Sequence, residues 1–350
     1  MKQTDDLRIA ATKELVSPAQ IHEQLPISET AATTTAQARA EIQSIMSGGD
    51  DRLVVIVGPC SIHDPKSAIE YANKLAKLKD ELKDDLMIVM RVYFEKPRTT
   101  VGWKGLINDP DLNDSYNVNK GIGIARKLLL EINDLGVPAG CEYLDLITPQ
   151  YTGDIVAWGA IGARTTESQC HRELASGLSC PVGFKNGTNG NLKIAVDAIG
   201  SASNPHHFLS VTKEGRTAIF NSTGNEYTHI ILRGGSDEPN YSAKYVEKSA
   251  EMLVNANLQP NIMIDFSHAN SYKTPARQAE VCSDVSAQIA SGEARVFGVM
   301  IESHLIEGNQ KVVPGQELVY GQSITDGCIG WSDTEKLCYE LANAVRTRRS

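Results

Sequence analysis

Eight short apolar runs recur along most of the chain, and each ends at or just before a residue that can bind a metal ion or an anion. The runs and the residues that follow them are 53–57 before Cys60, 87–90 before Arg91, 137–140 before Glu142, 157–163 before Arg164, 181–184 before Lys185, 229–232 before Arg233, 262–266 before His268, and 296–301 before Glu302. Such runs, rich in Val and Ile and without polar alternation, are typical of parallel strands that are buried on both faces.

Helical stretches separate these runs. Apolar residues recur at spacings of three and four within 67–82, 119–135, 166–179, 191–199, 243–257 and 275–290, whereas the connection 148–155 is shorter. Eight strands alternating with helices over about 250 residues predict an α/β fold, a closed (β/α)8 TIM barrel with its active site at the carboxyl ends of the strands. A doubly wound open sheet is the alternative, because the number of strands does not force closure.

Two segments add to the predicted catalytic barrel, which covers residues 51–350. Residues 1–50 are expected to form a helical extension, because Ser17-Pro18-Ala19-Gln20 has the cap, proline and amide of a helix start. A second helix is predicted from about Thr30 to Met46, before Ser47-Gly48-Gly49. An inserted β-hairpin is predicted at about 205–223, where strand-like segments flank Lys213-Glu214-Gly215.

Composition excludes several classes of protein. The chain has 350 residues and a net charge of -9, which argues against nonspecific nucleic-acid binding. No apolar stretch approaches twenty residues, and the opening MKQTDDLRIA is too polar for a secretory signal, so we expect no membrane contact and a cytoplasmic location. Seven irregularly spaced Cys are then expected to be reduced thiols.

Cations nevertheless gather at the predicted strand ends. Arg91, Arg164, Lys185 and Arg233 each follow a run, an arrangement that would attract a small anion into a positive cleft. Any one of them taken alone could instead pair with a surface carboxylate. A capping box predicted at Thr166 and Gln169 would add the amino end of a helix to the same anion site.

A metal-binding set is predicted at the same rim. Cys60, His268, Glu302 and Asp326 would offer one thiolate, one imidazole and two carboxylates, which suit a divalent transition ion better than Mg²⁺ or Ca²⁺. A zinc pair of Cys60 and His63 is the alternative, although no second close pair completes it. A metal beside several cations indicates either metal-assisted carbon-carbon bond formation or phosphoryl cleavage.

The chain contains several long motifs that allow a more specific comparison with known families. They are Gly58-Pro59-Cys60-Ser61, Lys96-Pro97-Arg98-Thr99-Thr100, Gly162-Ala163-Arg164-Thr165-Thr166-Glu167-Ser168, Gly183-Phe184-Lys185-Asn186-Gly187-Thr188 and Asp265-Phe266-Ser267-His268-Ala269-Asn270. Over nearly its whole length the chain resembles the microbial type I 3-deoxy-D-arabino-heptulosonate-7-phosphate (DAHP) synthases. The resemblance implies condensation of phosphoenolpyruvate with erythrose 4-phosphate to give DAHP and phosphate, the first step of the shikimate pathway.

The resemblance also implies roles for individual residues. The ligands of one divalent ion, whether Mn, Fe, Co or Zn, would be Cys60, His268, Glu302 and Asp326. Phosphoenolpyruvate would be held by Arg91, Lys96, Ala163, Arg164, Lys185 and Arg233, with Glu142 close by. Arg98 and Thr99 would hold the phosphate of the aldose. Lys96 is the candidate acid that protonates the nascent alkoxide, beside the catalytic metal ligands Cys60 and His268.

Regulation and self-association are further expectations of the resemblance. The extension and the hairpin would help to form a feedback site for an aromatic amino acid and the interface of a homodimer or homotetramer. The segment Ile147-Thr148-Pro149-Gln150 with Ser179, Phe208 and Ser210 looks most like the phenylalanine-sensitive form. Val16-Ser17-Pro18-Ala19 looks more like the tryptophan-sensitive form, so the tyrosine- and tryptophan-sensitive forms stay open.

Two other functions are considered beside this one. 3-Deoxy-D-manno-octulosonate-8-phosphate synthase shares the barrel and the chemistry, but Arg98 stands where that enzyme typically has asparagine. A noncatalytic sensor of aromatic amino acids would keep the feedback site alone. The presence of all four predicted metal ligands argues against a sensor.

Overall fold

Eight parallel strands close into a barrel in the computed structural model, which describes residues 2–313 and 315–350. The closed barrel confirms the predicted fold class, and the open-sheet alternative is wrong. In chain order the strands are β1 Leu53–Gly58, β2 Leu86–Arg91, β3 Ala139–Glu142, β4 Trp158–Ile161, β5 Val182–Lys185, β6 His207–Val211, β7 Thr217–Asn221, β8 Thr228–Leu232, β9 Ile262–Asp265, β10 Val296–Glu302, β11 Ile306–Asn309 and β12 Gln322–Ser323. All except β6, β7, β11 and β12 belong to the barrel, and each of the eight predicted runs supplies one barrel strand.

Helices cover the outside and one end of the barrel. They are α1 Pro18–Gln24, α2 Glu29–Met46, α3 Pro65–Leu82, α4 Val118–Asp134, α5 Pro149–Thr152, α6 Gln169–Gly177, α7 Lys193–Ala202, α8 Ala243–Asn255, α9 Gln278–Ala290 and α10 Trp331–Arg349. Short 3₁₀ turns follow α5 and precede α9. Among the described residues, no helix has the length and apolar character needed to cross a membrane.

Two apolar layers hold the barrel together. Every barrel strand is fully buried, and the outward side chains pack against the surrounding helices. The inward side chains form a second cluster, where Trp158 donates a hydrogen bond to His229 at 3.0 Å. Ala38, Ile42 and Met46 of α2 join that inner cluster. The second helix of the extension therefore packs against the barrel interior.

The extension begins as the sequence predicts. Ser17 caps α1 with a complete capping box, in which Gln20 bonds back to the Ser17 backbone. Arg39 of α2 donates hydrogen bonds to the carbonyls of Gly153 and Val156 at 2.6 and 2.7 Å. These contacts fix α2 to the short connection between β3 and β4.

One predicted helix start is wrong, and one helix was not predicted. The capping box at Thr166 and Gln169 does not form, because α6 begins only at Gln169, after the N-cap Ser168. The Thr166 hydroxyl instead donates to the carbonyls of Gly162 and Lys185. The C-terminal helix α10 packs on α9, although its apolar stripe was not part of the prediction.

Glycines 121 and 123 of α4 provide a matched test of helix packing. A methyl group on Gly121 would lie 2.1 Å from the carbonyl oxygen of Ile107, whereas one on Gly123 would meet nothing within 4 Å. Gly121→Ala should therefore lower the melting temperature by roughly 2–12 °C through overpacking. Gly123→Ala should leave it unchanged or raise it slightly, because alanine favours the helix. Equal effects in thermal denaturation would contradict this packing.

Candidate active site

A cavity of about 240 Å³, here called the mouth cavity, opens at the carboxyl ends of the barrel strands. Its lining contains all the residues that were predicted to bind substrate, together with three predicted metal ligands: Cys60, Arg91, Lys96, Arg98, Thr99, Glu142, Ala163, Arg164, Lys185, Arg233, His268 and Asp326. Glu302, the fourth predicted ligand, lines a small adjoining cavity with His268 and Asp326. The fold thus brings these residues to one rim.

Three of the predicted metal ligands form a compact group. One ligand atom each from Cys60, Glu302 and Asp326 lies within 4.8 Å of the other two. The fourth, His268, is not within that distance of all three, although its Nε2 lies 3.9 Å from Glu302 Oε1. A thiol, two carboxylates and a nearby imidazole match the ligand preferences of a divalent transition ion. His63 lies apart, packed edge-on against His304, so the zinc-pair alternative gains no support from the described residues.

Lys96 lies inside this group. Its Nζ is 2.8 Å from Cys60 Sγ and 2.9 Å from Asp326 Oδ2. Burial opposes ionisation of Asp326, but the charge and hydrogen bond of Lys96, together with the charges of His268 and Lys273, hold the pKa of this carboxyl below its usual range. Burial, with the charge of Glu302, raises the pKa of the Cys60 thiol. The group therefore has a cation of its own that contacts two candidate metal ligands.

Arg91 forms a fully buried ion pair with Glu302. Its Nη2 donates to Glu302 Oε1 at 2.9 Å, and Nε donates to the carbonyl of Pro59 at 3.1 Å. The guanidinium also lies 3.6 Å from the centre of the Tyr93 ring. Arg91 lines the mouth cavity, but its guanidinium is paired with Glu302. Arg91 therefore orients a predicted metal ligand.

Arg164 and Arg233 are arranged differently. Arg164 is exposed and forms no ion pair with any residue in the described part of the chain, and the buried Nε of Arg233 has no hydrogen-bond partner there. Burial lowers the pKa of Arg233, and the charge of Arg164 adds to this effect against the opposing charge of Asp265. Two neighbouring guanidinium groups without a paired carboxylate form a favourable site for an anion.

The residues predicted for the aldose phosphate, Arg98 and Thr99, also line the mouth cavity. Arg98 and Thr99 are exposed in the loop after β2, where Arg98 Nε donates to the carbonyl of Trp103 at 2.8 Å. Glu142 is buried beside Gly162, whose missing side chain leaves room for it, since a methyl group there would lie 2.6 Å from Glu142 Oε1.

Sequence reasoning missed several residues of the site. Asp265 is fully buried between Lys185 and His268, and Tyr93 has a buried hydroxyl without a described partner. Lys273 and Thr188 also line the mouth cavity. The sequence carries a signal for Asp265, because it is a charged residue inside the seventh apolar run, 262–266.

A second cavity, of about 780 Å³, lies away from the mouth and is here called the hairpin cavity. The five predicted regulatory residues all line it: Pro149, Gln150, Ser179, Phe208 and Ser210. Phe220 of β7 also faces it, and its ring centre is 5.9 Å from that of Phe208. The two aromatic rings give the cavity an apolar wall.

Known proteins resemble the chain over its full length. A family model described as the DAHP synthetase I family matches residues 24–338. The Phe-sensitive phospho-2-dehydro-3-deoxyheptonate aldolase of Escherichia coli (strain K12) is 62% identical, with 99% of each chain covered, and the Trp-sensitive enzyme of the same organism is 54% identical, with 99% of this chain and 100% of the relative covered. The solved structure of the corresponding aldolase from Francisella tularensis SCHU S4 has a TM-score of 0.96 at 51% identity and covers 98% of this chain and 100% of that chain.

Proposed function

The chain belongs to the DAHP synthetase I family, and we propose that its mouth cavity is the active site in which phosphoenolpyruvate condenses with erythrose 4-phosphate. The protein is a DAHP synthase, an enzyme of aromatic amino acid biosynthesis. The octulosonate-phosphate synthase and the noncatalytic sensor are therefore set aside. The observation that carries the proposed site is that a thiol-containing ligand group lies around the same cavity as two guanidinium groups that form no ion pair within residues 2–313 and 315–350.

The cation-rich side of the cavity is proposed to hold phosphoenolpyruvate. Arg164 and Arg233 supply guanidinium groups that can bind phosphate oxygens in a bidentate manner, and Lys185 adds an ammonium at the end of β5. Arg91 and Ala163 complete the contacts on this side. Holding the enol in a fixed orientation removes much of the entropy cost of bringing two substrates together.

The metal-ligand side is proposed to face the aldehyde. Cys60, His268, Glu302 and Asp326 would hold one divalent ion, and the sulfur ligand favours Mn, Fe, Co or Zn over Mg or Ca. When bound, such an ion supplies Lewis-acid polarisation of the carbonyl. Arg98 and Thr99 lie further out along the cavity, where they would hold the aldose phosphate.

Lys96 is proposed to act as the acid. The enol carbon of phosphoenolpyruvate attacks the aldehyde carbon, and Lys96 Nζ gives a proton to the aldehyde oxygen. Water adds to the phosphate-bearing carbon, which has become cationic, and one proton of that water returns to Lys96 Nζ. The carbon-oxygen bond then breaks, and phosphate leaves with its electron pair and the remaining hydroxyl proton, which leaves a ketone. Burial disfavours the charged lysine, but its neighbours Cys60 and Glu302 more than compensate and raise the pKa of Lys96. Lys96 is therefore held in the protonated form that an acid requires.

Replacement of the thiol tests the metal role. Cys60→Ala should reduce DAHP formation by at least 100-fold, more than the 10- to 100-fold typical of losing an outer metal partner. Its circular dichroism should match the parent, because Cys60 contributes a small side chain. Cys170→Ala, at an exposed cysteine, is the control and should keep parental activity. Near-normal turnover of either the Cys60 variant or the chelator-treated parent would refute the metal role.

The hairpin cavity is proposed to bind an aromatic amino acid as a feedback inhibitor, with phenylalanine favoured. Support comes from the connection between the two cavities. Thr148, next to Pro149 and Gln150 of the hairpin cavity, donates a hydrogen bond to Glu95 at 3.1 Å. Glu95 precedes Lys96 directly, and burial with the charge of Asp145 raises the pKa of Glu95 to about 7. A shift of the segment 148–150 when an amino acid binds would therefore be transmitted through Glu95 to the neighbouring Lys96.

Inhibition by each aromatic amino acid tests this proposal. Phenylalanine should inhibit phosphate release more strongly than tyrosine or tryptophan. Thr148→Val, which removes the hydroxyl but keeps the shape, should bind phenylalanine with parental affinity in calorimetry yet be inhibited several-fold less. If none of the three inhibits the parent, the feedback role fails. A different inhibitor would assign the chain to the tyrosine- or tryptophan-sensitive form.

Self-association is proposed through the outer face of the hairpin. Phe208 and Ser210 of β6 point to the hairpin cavity, while Leu209 between them is 83% exposed and Ile219 of β7 is 71% exposed. Leu7 and Ile9 in the extended N-terminal arm are also exposed. A homodimer or homotetramer would cover these apolar side chains.

A further inference from the structure

Asp265 is fully buried at the end of β9 and contacts both sides of the mouth cavity. Its Oδ2 lies 3.2 Å from Lys185 Nζ and 2.9 Å from His268 Nδ1. Neither N–H is aligned with Oδ2 for a directional hydrogen bond. The contact with Lys185 is therefore an ion pair set by charge, and the contact with His268 is a close approach of the carboxylate to the polar Nδ1 side of the ring. One carboxylate therefore lies between a candidate anion-binding lysine and a candidate metal ligand.

The other oxygen of Asp265 fixes the tautomer of the histidine. Ser267 donates to Asp265 Oδ1 from its backbone N at 3.0 Å and from its hydroxyl at 2.6 Å. The Ser267 Oγ also lies 2.7 Å from His268 Nδ1. Because the hydroxyl hydrogen is already given to Asp265, the oxygen can only accept from Nδ1–H. Nε2 is then left with a free lone pair on the side that faces Glu302.

The backbone holds this arrangement in place. Asn270 Nδ2 donates to the carbonyl of Asp265 at 2.8 Å, and the backbone N of Lys273 donates to the carbonyl of His268 at 2.8 Å. His268 itself has a φ of 57°, a left-handed conformation that a non-glycine residue rarely adopts. Such a conformation persists where the surroundings determine it, which is common at binding sites.

We propose that Asp265 is a positioning residue that serves both halves of the site: it orients His268 for a divalent ion and holds Lys185 at the edge of the phosphoenolpyruvate site. This inference rests on the proposed function. Outer partners of metal-bound histidines are typically carboxylates, and their loss commonly lowers metal affinity 10- to 100-fold. The same carboxylate also compensates the charge of the buried Lys185, which forms no other ion pair with the described residues.

Asp265→Asn tests both halves, because it keeps the size of the side chain and removes the charge. Metal affinity is measured without substrate, from the electron paramagnetic resonance signal of free Mn²⁺. Phosphoenolpyruvate affinity is measured by calorimetry on metal-free protein. Both affinities should fall at least 10-fold. Lys185→Met, the matched one-sided variant, should weaken phosphoenolpyruvate binding and leave Mn²⁺ binding unchanged.

The outcomes separate positioning from a structural role. If Asp265→Asn changes the melting temperature but leaves either affinity at the parental value, the proposal is overturned. If the variant does not fold, Ser267→Ala decides. It keeps the Lys185–Asp265 ion pair and removes the hydroxyl that joins Asp265 Oδ1 to His268 Nδ1. Mn²⁺ affinity alone should then fall several-fold, and an unchanged value overturns the proposal. A parent that binds Mn²⁺ and makes DAHP keeps the proposed function intact in either case.

Discussion

The parallel pairing of β1 with β10 closes the barrel, and the geometry of the site depends on it. The register sets Gly58 beside Glu302, so that Cys60 and Glu302, distant in sequence, become neighbours. Arg91 of β2 lies against the end of β1, where a methyl group on Gly58 would come within 2.7 Å of the Arg91 carbonyl oxygen. Without this closure the thiol and the carboxylate would end on opposite edges of an open sheet.

The cations at the rim are of two kinds: some are paired with an acidic group or thiol of the protein, and others form no such pair with the described residues. Three cations are paired with groups of the protein. Arg91 is paired with Glu302, Lys96 with Asp326 and Cys60, and Lys185 with Asp265. Arg164 and Arg233 have no such ion pair among the described residues. Paired cations orient ligands and stay charged, whereas unpaired guanidinium groups can bind an anion from solution. The chain can thus be acidic overall and still attract phosphate.

Much of this arrangement could be predicted from the sequence. The eight buried runs gave the barrel, because strands covered on both faces carry an uninterrupted apolar signal. The meeting of the rim residues could then be predicted, because parallel strands place their carboxyl ends on one side of the barrel. The pairing of Arg91 with Glu302 and the contacts of Asp265 with Lys185 and His268 could not be predicted, because they depend on how the strand ends meet in the barrel. The start of α6 was misplaced because Thr166 bonds to Lys185, a tertiary contact that overrides the local capping pattern.

The central claim is that one rim holds a divalent ion with a sulfur ligand beside the anion-binding guanidinium groups. X-ray absorption spectroscopy of the zinc-loaded protein tests it most directly, because zinc-sulfur and zinc-nitrogen or zinc-oxygen distances are well separated. The account predicts one sulfur neighbour at about 2.3 Å together with nitrogen and oxygen neighbours at about 2.0–2.2 Å. A shell of nitrogen and oxygen atoms alone would contradict it.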